Sequence, residues 1–385
     1  MISLSSIAVK TEIYESANSL VYRGINKHDN TAVILKVLKE DYPTKAELTR
    51  YKQEYEITSS LNLEGVIKAY SQQDYQRTLV IILEDFGGES LQKLMQESVG
   101  KYRPMPLSEF LCLAIKITEI LGEIHAANVI HKDINPGNIV SNPETGQVKI
   151  IDFGISTRLP RSNPTLKNPN IVEGTLAYIS PEQTGRMNRS LDYRTDFYSL
   201  GATFYELLTS KLPFETTDAM ELVHCHIAKQ PLSPSRVNPE IPQAVSGIVM
   251  KLLAKNAEER YQSAWGIKAD LEECLAQLQH KSTISEFPLA SKDISDKFQI
   301  PQKLYGREAE VQTLLAAFER VASTRDRETV GGQKNVETLH TTSLQSKITP
   351  LATTGGTPAT QWLQNQRHLL QRGEPPQRSG SKIQN

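Results

Sequence analysis

The chain has 385 residues, with 43 Lys and Arg against 44 Asp and Glu and a formal charge of −1. That length holds a two-lobed domain with a sizeable core and some chain to spare. The balanced charge removes any bulk electrostatic reason to expect nucleic acid or an anionic membrane as partner.

In chain order, residues 20–25 and 32–38 are short apolar runs separated by the turn-forming His28-Asp29-Asn30, which predicts two strands. Residues 45–61 are polar with spaced apolar positions, the pattern of an amphipathic helix, and 66–70 and 79–83 supply two more strands. From about residue 90 the period turns helical. Ser108 stands as cap to a helix in which Leu111, Ala114, Ile115, Thr118, Leu121 and His125 recur at three- and four-residue spacing. Further helices are predicted at 196–208, 219–228, 244–253 and 264–278. Strands first and helices after give an α+β fold: a small antiparallel-sheet lobe carrying one helix, joined near 84–88 to a mainly helical lobe.

Residues 279–300 read as a polar linker, and 304–321 as one short amphipathic helix. From 322 onward Thr, Gln, Gly, Ser and Arg dominate without a period. Such a composition buries too little apolar surface to offset its ordering entropy, so a disordered tail is expected there. The three cysteines, Cys112, Cys225 and Cys274, lie far apart with no Cys-x-x-Cys, so neither a zinc site nor a disulfide framework is expected. Cys112 and Cys274 sit in apolar helical surroundings. The opening Met1-Ile2-Ser3-Leu4-Ser5-Ser6 has no basic region ahead of an apolar core, and no apolar run approaches the ~18 residues of a spanning helix. A soluble, cytoplasmic protein without a membrane span is expected.

The chemistry sits in His131-Lys132-Asp133-Ile134-Asn135-Pro136-Gly137-Asn138, followed by Asp152-Phe153-Gly154. Two acids and an amide stand where a phosphoryl-transfer site needs a base and two metal ligands. Lys36 lies inside the apolar run Val33-Ile34-Leu35-Lys36, where an unpaired ammonium is costly, and Glu54 on the predicted helix is its candidate partner.

With these motifs in this order, residues 8–278 resemble the catalytic domain of Hanks-type bacterial serine/threonine protein kinases. The resemblance implies a bilobal protein-kinase-like fold, with an N-lobe over about 8–86 and a C-lobe over about 87–278. It implies ATP as phosphoryl donor, Mg²⁺ (with Mn²⁺ as alternative) as cofactor, and Ser/Thr hydroxyls of proteins as acceptors. Asp133 matches the catalytic base, Asn138 and Asp152 the metal ligands, and Lys36 with Glu54 the pair that positions the nucleotide phosphates. Leu83 matches the back of the adenine pocket, and Glu84 and Phe86 belong to the nucleotide-binding hinge. Thr175, in Gly174-Thr175-Leu176-Ala177-Tyr178, matches a threonine that hydrogen-bonds the catalytic Asp. Glu182 and Arg260 match a buried ion pair, and Asp196 the acid that braces the catalytic loop. Ser156, Thr157, Ser162 and Thr165 are candidate autophosphorylation sites by location.

The sequence departs from that pattern at two places. The nucleotide-covering loop carries Tyr14, Ser16 and Ser19 where the family has three glycines, which let backbone amides close over phosphates. Asn135, grouped here with Asp133 as catalytic, replaces the lysine that contacts the γ-phosphate, an exchange that can cost several kcal/mol. The metal ligands, base and strand Lys all remain, so an active enzyme is expected over a nucleotide- or partner-binding pseudokinase. Beyond the kinase-like region, 301–321 with Leu304-Tyr305-Gly306-Arg307-Glu308 is similar to the entry of AAA-type ATPase modules. The order resembles the N-terminal part of large cyanobacterial-type proteins that join kinase, ATPase and sensor histidine-kinase regions, truncated here. Partners carrying ATPase or histidine-kinase modules are therefore expected.

Overall fold

The computed structural model describes residues 4–16, 18–39, 43–97, 104–158, 174–186 and 191–294. The expectations for 301–321 and 322–385, and for Ser162 and Thr165, fall outside these residues. The first strands are β1 (Ile7–Glu15), β2 (Ser19–Asn26), β3 (Ala32–Leu38), β4 (Ala69–Tyr75) and β5 (Thr78–Glu84), with helix α1 (Lys45–Ser60) between β3 and β4. They form one antiparallel sheet in the order β1-β2-β3-β5-β4.

The alternation within β3 explains both faces of this sheet. Val33, Leu35 and Val37 join Leu4, Ile7, Val80 and Ile82 in one apolar cluster, while Leu38 packs with Tyr51, Leu79 and Ile81 on the opposite face. Strand side chains alternate with period two, so Ile34 and Lys36 share the face of Leu38, beside α1. Thr44 caps α1 with a capping box: its hydroxyl accepts from the Glu47 N–H, and the Glu47 carboxylate accepts from the Thr44 N–H. α1 buries Tyr51, Glu54, Ile57 and Thr58, positions that its period places on one face. Glu54 is thus carried inward by the same periodicity as its apolar neighbours.

The strand expected at 66–70 differs in the structure. Val66 makes only an isolated bridge with Ile150, and the ladder with β5 starts at Ala69. The reason is that Val66 belongs to the helical lobe's core, and the Ile67 N–H donates to the Ile150 carbonyl at 3.2 Å.

After the sheet come β6 (Glu89–Ser90), α2 (Leu91–Glu97) and the long α3 (Leu107–Ala126). α3 follows Pro106 without a side-chain cap, so Ser108 lies in its first turn rather than capping it. The short strands β7 (Val129–Ile130), β8 (Ile139–Ser141), β9 (Val148–Ile150) and β10 (Thr157–Arg158) frame the loops between them; β7 pairs with β10, and β8 with β6 and β9. Helices α4 (Arg194–Thr209), α5 (Ala219–Ala228), α6 (Pro234–Val237), α7 (Gln243–Leu252) and α8 (Ala264–Lys281) complete the lobe. α4 is buried along nearly its whole length; α3, α6 and α7 pack on it, and α8 packs on α3. This is the bilobal α+β arrangement expected.

Part of the expected polar linker is folded. Residues 279–281 extend α8, and Ile284, Phe287, Leu289 and Ala290 pack against the helical core. Asp293 then accepts from the Gln262 N–H at 2.6 Å and the Ser263 hydroxyl at 2.7 Å. Cys225 and Cys274 are buried, whereas Cys112 is exposed on α3, against the expectation of apolar surroundings. Among the described residues, no helix is long and apolar enough to cross a membrane.

Candidate active site

Between β7 and β8 the chain makes a loop that needs outside support. Lys132 has φ 69°, a conformation that costs a non-glycine residue of order 1–3 kcal/mol. Asp196, in the first turn of α4, offsets that cost. Its carboxylate accepts from the N–H groups of His131 at 2.9 Å and Lys132 at 2.7 Å, and His125 Nε2 lies 2.8 Å from Oδ2. The Lys132 carbonyl accepts from Gln183 Nε2 at 2.7 Å, and the His131 carbonyl from the Ser156 hydroxyl at 3.1 Å. Gly174, at φ 107°, passes so close that a Cβ would stand 3.1 Å from the Lys132 carbonyl. The turn that presents Asp133 is therefore held from both sides.

Asp133 has both carboxylate oxygens engaged: Oδ1 accepts from the Thr175 N–H at 2.9 Å and Oδ2 from Asn138 Nδ2 at 3.0 Å. The expected Thr175 contact is thus made by its backbone. Its hydroxyl instead faces Asn135 Nδ2 at 3.4 Å. Asn135 also donates to the Asp133 carbonyl at 3.0 Å and accepts from the Gly137 N–H at 2.9 Å. Those bonds engage its amide inside the loop, where it braces the turn that carries Asp133. Asn138 donates to the Asp133 carbonyl and carboxylate, so its amide oxygen is the atom left for a cation.

Across the cleft, Lys36 Nζ lies 2.6 Å from Glu54 Oε1 and 2.8 Å from Asp152 Oδ1. Asp152, at φ 64°, also accepts from the Gly154 N–H at 3.2 Å. Phe153, 1% exposed, packs edge-on to His131 at 4.8 Å between centroids. Burial alone would lower the Lys36 ammonium, but the Asp152 and Glu54 carboxylates outweigh it and hold it above its ordinary range. Burial pushes the Glu54 carboxyl up to about 7 against the pull of Lys36, with Asp152 adding to the push. Asp152 feels burial too, yet Lys36 draws it below the usual carboxylate range. One ammonium faces two carboxylates, and the acid whose side chain is 42% exposed keeps its charge while the one at 7% titrates near neutrality.

The hinge is tied down by its own side chains. The Glu84 carboxylate accepts from Lys149 Nζ at 2.7 Å and the Lys68 N–H at 2.8 Å, the Phe86 carbonyl accepts from Asn142 Nδ2 at 2.7 Å, and Arg23 pairs with Asp85 at 2.6 Å. The side chain of Glu84 and the carbonyl of Phe86 are therefore spent on the hinge, and only the backbone groups left over are free for a nucleotide. Ile34 and Leu83 stand opposite each other in the ladder, half-buried beside the hinge. At the loop over the cleft, Ser16 Oγ accepts from the Asn18 N–H at 3.3 Å and the Ser19 N–H at 2.9 Å.

The donor set fits a hard divalent cation. Asp152 has a carboxylate oxygen beyond the one on Lys36, Asn138 an amide oxygen, and both are oxygen ligands of the kind Mg²⁺ takes when phosphates complete its shell. Among the described residues no three His, Cys, Asp or Glu side chains cluster tightly enough to hold a metal without such help.

A sequence profile of the protein kinase domain matches residues 8–274. This chain belongs to the protein kinase family. It is 31% identical over 259 residues to a probable serine/threonine-protein kinase of Clostridium perfringens, covering 67% of this chain and 36% of that one. It is 31% identical over 241 residues to the serine/threonine-protein kinase PrkC of Bacillus subtilis, covering 62% and 36%. The hybrid signal transduction histidine kinase G of Dictyostelium discoideum is 30% identical over 311 residues, covering 58% of this chain and 9% of that one. The chain thus spans only a minor part of the length of these relatives.

Several kinase residues escaped the sequence reading. Gln183, His125, Asn142 and Lys149 hold the catalytic loop and hinge, but each acts on a partner far away in sequence. Ser156 is corrected as an acceptor: it is 3% exposed and its hydroxyl is spent on His131. Glu182 and Arg260 meet as expected, at 2.6 and 2.8 Å, and Arg260 also donates to the carbonyls of Ala254, Arg194 and Lys255. A buried guanidinium is tolerable when its donors are satisfied in this way.

Proposed function

We propose that this domain is an ATP-dependent protein serine/threonine kinase acting in bacterial signal transduction. The carrying observation is Asp133, whose two oxygens are fixed by Thr175 and Asn138 opposite the closed Lys36–Glu54–Asp152 set. In this reading Asp133 orients the acceptor hydroxyl and takes its proton. The hydroxyl oxygen bonds to the γ-phosphorus as the bond to the ADP oxygen breaks, and ADP leaves. Lys36 holds the phosphate chain, Glu54 holds Lys36, and Phe86 offers its backbone N–H to the base. Mg²⁺ would be held by Asp152 and Asn138, where it supplies charge neutralisation to the phosphates; Mn²⁺ suits the same oxygen ligands.

The acceptors are Ser and Thr of other proteins, with autophosphorylation in the segment that includes Thr157, Ser162 and Thr165. The domain limits we adopt are 8–278 for the kinase and 301–321 for the start of an AAA-type module. The histidine-kinase relative supports a place within, or beside, longer signalling assemblies.

A second reading, a nucleotide-binding regulatory module with little catalysis, draws on the Asn135 amide spent inside the loop and the Ser16 hydroxyl spent on its own turn. Incubating the purified full chain with Mg²⁺, labelled ATP and a generic basic protein separates the two. The kinase reading expects phosphoserine or phosphothreonine, and Asp133→Ala lowers the rate by at least ~10³-fold. ATP binding without transfer, or equal signal from Asp133→Ala, would favour the regulatory module.

A further inference from the structure

The turn over the cleft combines one occupied set of donors with one unused donor. Strand register aligns Tyr14 with Val21, Val21 with Lys36, and Lys36 with Ile81. Directly opposed residues of antiparallel strands project from the same face, so Tyr14 stands in the cross-strand row that carries Lys36. A parallel row on that face, Arg23, Ile34 and Leu83, leads to the hinge instead. A β-bulge between Glu12 and Tyr14 is what brings Tyr14 to this face, because Glu12 opposes Tyr22 in the outward row. Tyr14 is 59% exposed, and its phenol makes no hydrogen bond among the described residues. The N–H groups of Asn18 and Ser19, which a glycine loop would turn on phosphates, are already bonded to Ser16 Oγ. Ser16 Oγ and Ser19 Oγ also lie 2.9 Å from each other.

We infer that Tyr14 donates its phenolic hydrogen bond to the polyphosphate of the bound nucleotide, covering the cleft with a side chain where a glycine loop uses backbone amides. The inference rests on the kinase reading above. Two strand spacings, about 10 Å, separate Tyr14 from Lys36, so a phosphate chain anchored on Lys36 Nζ falls between them. A neutral hydroxyl facing a phosphate oxygen makes a charge-assisted bond, stronger than a neutral pair. The position of Tyr14 in the Lys36 row, away from the Ile34–Leu83 row, assigns it to the phosphate end of the ligand rather than the base.

Calorimetric titration of the full chain with Mg²⁺-ATP and, separately, with adenosine tests this without relying on turnover. Tyr14→Phe and Tyr14→Gly are compared with the parent, after their melting temperatures are shown to agree. Tyr14→Phe is expected to weaken ATP about tenfold and to leave adenosine unchanged. Unchanged ATP affinity in Tyr14→Phe overturns the inference. So does an equal loss for adenosine, which would place the ring on base or sugar, or a gain for Tyr14→Gly, which would make the ring an obstacle. A parent protein that binds neither ligand removes the nucleotide reading as well, an outcome distinct from those three.

Discussion

Glu54 carries a conflict that the chemistry of the site can expose. It must be ionised to hold Lys36, yet burial lifts its carboxyl to about 7. A raised acid is protonated below that pH, so in the free protein the pair is complete only on the alkaline side. The parameter kcat/KM reports ionisations of the free enzyme. It should therefore rise through about pH 7 in the parent, while Glu54→Gln, neutral at every pH, lacks that rise. The advantage of the parent over Glu54→Gln is expected to be small near pH 6 and about tenfold or more near pH 8. Parallel pH profiles for the two proteins would mean that Glu54 is not the titrating group. The resemblance names Lys36, Glu54, Asp133, Asn138 and Asp152 together, and the structure joins Lys36 to Glu54 and Asp152, and Asp133 to Asn138. Asn135 and Thr175 were less legible. In sequence Asn135 is grouped with the catalytic Asp133, and Thr175 is expected to bond that aspartate. Whether an amide reaches outward or folds onto the Gly137 N–H, and whether a threonine uses its hydroxyl or its backbone, is set by the folded loop.

At the scale of elements, α5 is joined to the segment after Gly174 through a buried histidine. α5 packs against the turns at Leu176–Tyr178 and Pro181–Thr184. His226 on α5 is fully buried, with Nδ1 3.0 Å from the Tyr198 hydroxyl of α4, and among the described residues its Nε2 makes no hydrogen bond within normal geometry. Burial, and then the nearby Lys255 ammonium, lower its pKa from 6.5 to about 4. The folded form therefore binds this proton less readily than the unfolded chain. The stabilisation is complete above pH 6.5 and is lost as pH falls toward 4, up to ~3 kcal/mol for this residue. Urea unfolding between pH 4.5 and 7.5 should show stability falling on acidification, with a shallower fall in His226→Gln. An identical slope in that variant would place the acid sensitivity elsewhere. The longer helices themselves were readable from their apolar period, with ends displaced by at most three residues, whereas the four-residue α6 is too short to show one. The strand at 66–70 was not readable, because Val66 is apolar for the sake of the other lobe, and local alternation cannot say which core a buried residue serves.

The whole molecule depends on how α1, which carries Glu54, is set against the lobe that carries Asp133 and Asp152. The backbone between α1 and β4 makes that connection. The Ile150 N–H donates to the Gly65 carbonyl at 2.8 Å, Ile67 returns a bond to Ile150, and Lys149 Nζ bridges Glu84 of β5 and the Val66 carbonyl. Gly65 is what lets the chain come this close. A Cβ there would meet the side chain of Ile120 on α3 at 2.2 Å, far inside contact distance. Ile120 is 8% exposed and β-branched, so it has little room to rotate away. Gly65→Ala is therefore expected to cost about 1–3 kcal/mol of stability, as overpacking does elsewhere. It should also weaken nucleotide binding, because the segment that follows α1 must move. Pairing it with Ile120→Ala gives the decisive comparison. Alone, Ile120→Ala leaves a cavity and destabilises, but it opens the space that the new methyl needs, so the double variant should be more stable than the two single losses predict. Chemical denaturation of the four proteins measures that coupling. A coupling energy near zero would show that the strain is relieved by backbone movement, and that the fit of Gly65 on α3 does not set the position of α1.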